Sequence, residues 1–182
     1  MLPLTIPGGE FWDEATERFY TIVGQTIQLE HSLISVSKWE AKWKKPFLSR
    51  MSKTADEITD YVRCMTVTPN VDPRLYMCLT GDNIVSIQAY IDDPMSALRF
   101  RGEINGKKPQ GTPKPKTSEQ IYAAMVLLGI PFECQKWHLN RLLTLIHECE
   151  LLNSGGKMSR KDSAKYMSQL NAARRAKHHT RG

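Results

Sequence analysis

Hydrophobic residues recur at three- and four-residue spacings over residues 131–152. The apolar positions are Phe132, Trp137, Leu139, Leu142, Leu143, Ile146, Cys149 and Leu152. Such a wide stripe is typical of one face of an amphipathic helix. Pro131 suits a first helical turn, and Gly155-Gly156 supplies a stop. The pattern predicts a helix of about six turns, around which the rest of the chain packs.

The first 30 residues show the alternation of apolar and polar positions that is typical of β-strands. Residues 2–6 and 10–13 form two short segments around the turn Pro7-Gly8-Gly9. Residues 19–23 and 26–30 flank Gly24-Gln25, which has the length of a tight hairpin loop. We therefore expect a small antiparallel sheet of about three strands, with one face covered.

From residue 31 the apolar period becomes that of helices. Ser32 can cap a helix that ends before Pro46. Its apolar side carries Leu33, Val36, Trp39 and Trp43. A separate helical pattern holds Ile84, Ile87 and Ile91, with Asp82 or Asn83 as its cap.

Two capping-box pairs predict further helix starts. Thr54 with Glu57 and Thr117 with Gln120 have the spacing that lets each pair satisfy two free N–H groups. The helix after Thr117 ends at Gly129, so it should form an αα-hairpin with the helix of residues 131–152. The sequence thus predicts an α+β fold, mostly α, in which a small N-terminal antiparallel β-sheet is followed by a helical bundle and a basic helical tail.

Three regions follow from these patterns. Residues 1–30 form the N-terminal β hairpins, residues 31–156 a helical domain with a flexible loop over 101–116, and residues 157–182 a basic C-terminal tail. The loop is rich in Gly, Pro and Lys, so it cannot bury an apolar face. A hydrophobic content of 41% suffices for a sizeable core.

Positive charge is concentrated in the tail. The net charge is +6, but eight of the 25 basic residues and only one of the 19 acidic residues lie within residues 157–182, so the tail carries +7 and the preceding residues carry −1. A thin apolar stripe runs through the tail at Ala164, Met167, Leu170 and Ala173. The tail could bind nucleic acid, dock on an acidic protein surface or stay solvated. The stripe favours docking on a protein.

An aromatic segment is the most distinctive local feature. Trp39 and Trp43 lie four residues apart on one predicted helical face, Phe47 follows, and lysines surround them. They could close the core over the sheet, anchor a partner protein, or line a groove that stacks nucleic-acid bases. The candidate partner-binding residues are Trp39, Trp43 and Phe47 in this segment and Lys165, Leu170, Arg174, Arg175 and Lys177 in the tail.

No pattern predicts catalysis. The sequence lacks a phosphate-binding loop, a nucleophile elbow and a His-Glu-x-x-His motif. Its four cysteines have no C-x-x-C spacing, so we expect reduced thiols, and no cofactor or metal is predicted. His31, beside Glu30, and His138 are expected to be structural. Neither an apolar run of bilayer-spanning length nor a secretory signal is present, which predicts a cytoplasmic protein without a membrane partner.

Several stretches resemble small tail-module proteins of long-tailed, siphovirus-like bacteriophages. They are LEHSLISVSKWEAKWKKPFL (29–48), ITDYVRCMTVTPNVDPRLY (58–76), IPFECQKWHLNRLLTLI (130–146) and LNAARRAK (170–177). The resemblance implies a non-enzymatic tail assembly chaperone that binds the tape-measure protein and recruits tail-tube subunits. It assigns no role to an individual residue.

Two other functions stay open beside this one. The protein could be a structural component of the tail or neck in the virion, in which neighbouring subunits order the tail. It could also be a nucleic-acid-binding accessory protein, for which the basic tail would supply phosphate contacts. A chaperone is expected in the host cytoplasm during assembly and a structural component in the virion. Association with further copies of the chain is compatible with each function.

Overall fold

The computed structural model describes residues 1–14, 17–49, 51–97 and 117–153, together with Ser168. The chain divides into two compact units, Met1–Ile146 and His147–Gly182. The predicted loop of residues 101–116 lies outside the described residues, as does the predicted tail of residues 157–182 apart from Ser168. The fold is α+β and mostly α, with N-terminal antiparallel strands followed by helices, which confirms the predicted class.

The N-terminal strands form one long interrupted ribbon. Strand β1 (Leu2–Ile6) pairs antiparallel with β4 (Gln25–Leu29), and β2 (Gly9–Asp13) pairs with β3 (Arg18–Ile22). The register is continuous, since Ile6 lies opposite Gln25 and Gly9 opposite Ile22. The predicted hairpin at Gly24-Gln25 is therefore wrong, because β3 pairs with β2 and β4 pairs with β1, so the strands on either side of Gly24 do not pair with each other.

Two glycines allow the two chains of the ribbon to approach closely at its interruption. A Cβ atom at Gly8 would lie 2.3 Å from the carbonyl oxygen of Ile22, and one at Gly24 would lie 2.7 Å from the backbone nitrogen of Gly8. Only glycine permits this approach of the two chains. The buried face also switches here, because Ile6 is buried whereas Trp12, an even number of residues further, is half exposed.

Helices α1 (Leu33–Trp43) and α2 (Ala55–Met65) follow the ribbon and pack against each other. Ser32 caps α1, and the predicted capping box of Thr54 and Glu57 opens α2. A 3₁₀ helix over Pro73–Cys78 leads to α3 (Gly81–Asp92). The cap of α3 is Thr80, which corrects the expected start at Asp82 or Asn83.

The predicted six-turn helix over residues 131–152 is wrong. Helix α4 (Ser118–Leu127), opened by the predicted capping box at Thr117, is followed by a 3₁₀ helix over Phe132–Lys136 and then by α5 (Leu139–Asn153). Between the last two, Trp137 has an extended backbone and His138 forms an antiparallel bridge with Ser32. The N–H of Leu139 donates to the carbonyl of His31 at 2.7 Å. This pairing with a distant segment breaks the helix.

The core of the first unit lies where the ribbon half β1–β4 meets the helices. Its largest fully buried side chains are Ile6, Ile27, Leu29, His31, Leu33, Trp39, Met65, Leu75, Ile121, Met125, Leu139 and Leu142. The outer edge of β4 is also covered, because the N–H of Val67 donates to the carbonyl of Gln28 at 2.8 Å. This core holds α1 and α2 side by side and so positions the aromatic segment.

Candidate functional site

The turn after α1 brings the aromatic segment together. Lys44 adopts a left-handed conformation with φ of 54°, and its N–H donates to the carbonyl of Glu40 at 2.8 Å. A left-handed residue at this place is a common helix ending. The chain then folds back, so that the N–H of Phe47 donates to the Glu40 carboxylate at 2.7 Å. Phe47 consequently lies over Trp39, with ring centroids 5.2 Å apart.

Trp39 and Phe47 are core residues. The exposed fraction is 1% for Trp39 and 9% for Phe47. The indole N–H of Trp39 donates to the carbonyl of Glu57 at 2.8 Å, and the Phe47 ring stacks on Tyr61 with a centroid distance of 3.9 Å. The hypothesis that these two residues anchor a partner is corrected here, because their rings close the core between α1 and α2.

Trp43 differs from the other two aromatic residues because it stays half-buried at the surface. Its indole N–H donates to Asp60 at 2.9 Å, and the Lys42 ammonium reaches the other oxygen of the same carboxylate at 2.5 Å. Arg63 adds a longer ion pair at 3.9 Å. Burial alone would raise the pKa of Asp60, but these donors and charges outweigh it and lower the pKa below its ordinary value.

A second carboxylate, Glu57, lies at the start of α2. The Lys45 ammonium binds it at 2.5 Å and the N–H of Thr54 donates to it at 2.9 Å, and together these bonds lower its pKa. Lys53 lies over the Phe47 ring at 4.5 Å. Burial lowers the pKa of Lys53, and the nearby charge of Glu57 opposes that shift. Glu57 and Asp60 are thus each paired with a lysine.

A surface groove of about 280 Å³ runs between α1 and α2. Its lining residues are Lys42, Trp43, Asp56, Thr59, Asp60 and Arg63. The groove offers an aromatic ring and alternating charges, which suit contact with another protein. Asp60 is ionised and fully engaged, so it has no proton to donate in acid catalysis. Among the described residues, no group of His, Cys, Asp and Glu is placed to hold a metal ion.

A buried polar cluster lies beneath the aromatic segment. His31 Nδ1 is 2.5 Å from the hydroxyl of Tyr61, and the rings of His31 and His138 are 5.1 Å apart. The N–H of Asn140 donates to His138 Nδ1 at 3.3 Å, so Nε2 carries the proton that faces the carbonyl of Tyr90 at 3.0 Å. Burial, and then the proximity of His138, lower the pKa of His31 to about 3. Both histidines serve the core, as expected.

Glu40 is a buried residue with a structural role that the sequence pattern did not indicate. Glu40 is 6% exposed, and its carboxylate accepts hydrogen bonds from Phe47 and from Ser118, whose N–H and hydroxyl lie at 2.7 and 2.5 Å. It therefore joins α1 to the first turn of α4. The available signal was its position at the edge of the apolar stripe of α1, where a carboxylate needs buried donors.

The five predicted tail residues, Lys165, Leu170, Arg174, Arg175 and Lys177, lie outside the described residues. Cys134 is buried, whereas Cys64, Cys78 and Cys149 are half-buried, and all four are free thiols. Among the described helices, none is both long and apolar enough to cross a membrane.

The described residues define an α+β protein with a small surface groove beside Trp43. No protein-family model matches the chain, and neither a curated protein nor a solved structure matches it.

Proposed function

We propose that this is a non-catalytic protein of bacteriophage tail morphogenesis, and that it acts as a tail assembly chaperone that binds the tape-measure protein. The resemblance of residues 29–48, 58–76 and 130–146 to phage tail-module proteins carries the proposal. These three stretches meet in the first unit, where His31 contacts both Tyr61 and His138. The resemblance therefore covers residues that pack into a common core.

The chemistry of the groove supports a binding role. Asp60 and Glu57 are paired with lysines, and their lowered pKa values keep both carboxylates ionised at neutral pH. Neither group therefore holds a proton that it could donate to a substrate at neutral pH. Trp43 is the aromatic residue of the segment that retains exposed surface, and tryptophan is enriched at the centres of protein interfaces.

The tail supplies the second part of the proposed contact. Its charge of +7 would attract an acidic or helical coiled-coil partner, and Leu170 would add apolar contact beside Lys165, Arg174, Arg175 and Lys177. The chaperone would hold the tape-measure protein in this way while it recruits tail-tube subunits.

Co-expression with the tape-measure protein tests the proposal. We expect the full chain to raise the soluble fraction of the tape-measure protein and to purify with it. Removal of residues 157–182 should weaken both effects, and the double change Arg174→Glu with Arg175→Glu should weaken the complex about tenfold. The control is Lys38→Glu with Lys136→Glu, which makes the same charge change at exposed sites outside the tail. Unchanged solubility and no co-purification would contradict the proposal.

A further inference from the structure

The outer half of the ribbon, strands β2 and β3, presents an exposed aromatic pair. We call these two strands the arm. The Trp12 and Phe19 rings lie opposite each other with centroids 4.9 Å apart, and their exposed fractions are 50% and 72%. On the other face of the arm, the Arg74 guanidinium covers Tyr20 at 5.1 Å. One face therefore packs on the body of the unit while the aromatic pair faces outward.

The edges of the arm are open, in contrast to those of the inner half. Asn83 donates to the carbonyl of Thr5 on β1 at 3.1 Å, and residues 66–68 cover the edge of β4. Within the described part of the chain, no hydrogen bond joins the outer edge of β2 or β3 to another element. An open edge can pair with an extended segment of another chain.

The charge of the arm indicates which kind of extended segment it can bind. The arm itself contains Glu10 and Asp13 against Arg18, and the residues that join its strands add Glu14 and Glu17, so residues 9–22 carry −3. This charge repels nucleic-acid phosphates, anionic lipids and a second copy of the same arm. It attracts lysine and arginine, whose cationic groups also bind well over exposed aromatic rings. Strand β2 is the more acidic of the two, because Arg18 begins β3.

We propose that the arm binds an extended, lysine- and arginine-rich segment of a partner protein along the edge of β2. The backbone of the segment pairs with β2, its cationic side chains lie over Trp12 and Phe19, and the carboxylates around them complete the contact. This inference is independent of the proposed chaperone function. A cross-strand aromatic pair also stabilises its own hairpin, but that role requires neither the open edge nor the negative charge.

Calorimetric titration of the full chain tests the proposal. The probe is a synthetic peptide of roughly ten residues in which lysine alternates with threonine and valine. We expect binding at peptide concentrations of about 0.1 mM, and no binding of the same peptide with glutamate in place of lysine. Phe19→Thr should weaken binding at least about tenfold. The matched control, Phe132→Thr, changes a phenylalanine that is 52% exposed outside the arm and should have no effect.

If circular dichroism shows that Phe19→Thr unfolds the arm, a charge variant tests the proposed peptide binding instead. Glu10→Gln with Glu17→Gln should weaken binding several-fold and reduce its salt dependence, whereas Glu133→Gln with Glu150→Gln should change neither. Absent binding, equal binding of the glutamate peptide, or wild-type affinity in both arm variants would overturn the proposal. Sedimentation could instead show that the chain forms a dimer, that Phe19→Thr abolishes this dimer, and that the peptide does not bind. That result would overturn the proposal and would mean that the arm binds a second copy of the chain.

Discussion

Glu40 shows how one buried carboxylate connects three segments of the chain. It belongs to α1, and its carboxylate accepts hydrogen bonds from the turn at Phe47 and from Ser118 at the start of α4. The first N–H groups of a helix are unpaired and carry partial positive charge, so a carboxylate stabilises them. A neutral residue at this position would leave those donors without a charged acceptor.

We predict that Glu40→Gln lowers the free energy of unfolding by about 1–3 kcal/mol. The amide places an NH₂ group against N–H and hydroxyl donors, so at least one hydrogen bond is lost. Urea unfolding followed by circular dichroism measures the change. Glu133→Gln, at an exposed position of a 3₁₀ helix, is the control and should stay within about 0.5 kcal/mol of the parent protein. Equal stability of the two variants would show that Glu40 does not hold the segments together.

His31 makes stability depend on pH. Its pKa falls from 6.5 to about 3 in the folded protein, chiefly because burial opposes the charged form. Below pH 6.5 the unfolded chain binds a proton that the folded chain excludes, so stability decreases as the pH falls from 6.5 towards 3. We predict a loss of about 2 kcal/mol between about pH 7.5 and pH 5, since each pH unit below 6.5 contributes about 1.4 kcal/mol.

Urea titrations at these two pH values measure the loss. His31→Asn keeps a polar atom near the hydroxyl of Tyr61 but cannot be protonated, so its stability should vary much less over the same range. The carboxylates with lowered pKa values, Glu57 and Asp60, titrate at lower pH and do not contribute in this window. If His31→Asn retained the full pH dependence of stability, that dependence would have to arise from another titratable group.

At the scale of elements, the ribbon depends on the close approach of its strands at Gly8. We predict that Gly8→Ala destabilises the protein by about 1–3 kcal/mol, because the added methyl group would lie 2.3 Å from the carbonyl oxygen of Ile22. Thermal unfolding measures the effect. Gly81→Ala is the control, since a Cβ there meets nothing within 4 Å and alanine favours the helix. If Gly8→Ala left the stability unchanged, the two chains of the ribbon could move apart at its interruption without cost.

Local signals in the sequence predicted the helix starts and missed the long-range pairings. Ser32, Thr54 and Thr117 cap the predicted helices because capping depends on neighbouring residues alone. The break before α5 arises from His138, which pairs with a strand-like segment more than 100 residues earlier in the chain. Periodicity carries no information about such a partner.

The same reasoning explains the ribbon and the aromatic segment. A glycine between two strand patterns is typical of a hairpin and so predicts a turn at Gly24, whereas in the structure Gly24 permits a close approach of two chains. Trp39 and Trp43 share one helical stripe. However, α2 and Phe47 cover Trp39, whereas Trp43 stays half-exposed. Helical spacing predicts a shared face, and the depth of burial depends on the neighbouring element.

At the scale of the whole molecule, charge separates the candidate partner-binding regions. Residues 1–156 are nearly neutral, with an acidic stretch at residues 9–22 that contains the arm, while residues 157–182 carry +7. The two regions therefore attract partners of opposite charge. We propose that the basic region serves the tape-measure protein and that the arm serves a basic segment, so the contacts should respond to different variants.

The composition of purified phage particles tests the central proposal most directly. An assembly chaperone leaves the tail when the tail-tube subunits have polymerised, whereas a structural component stays at fixed stoichiometry. Quantitative mass spectrometry of particles and of infected-cell lysate should find this chain in the lysate together with the tape-measure protein and find it absent from the particles. A constant number of copies per particle would contradict the chaperone function and support a structural role in the tail or neck.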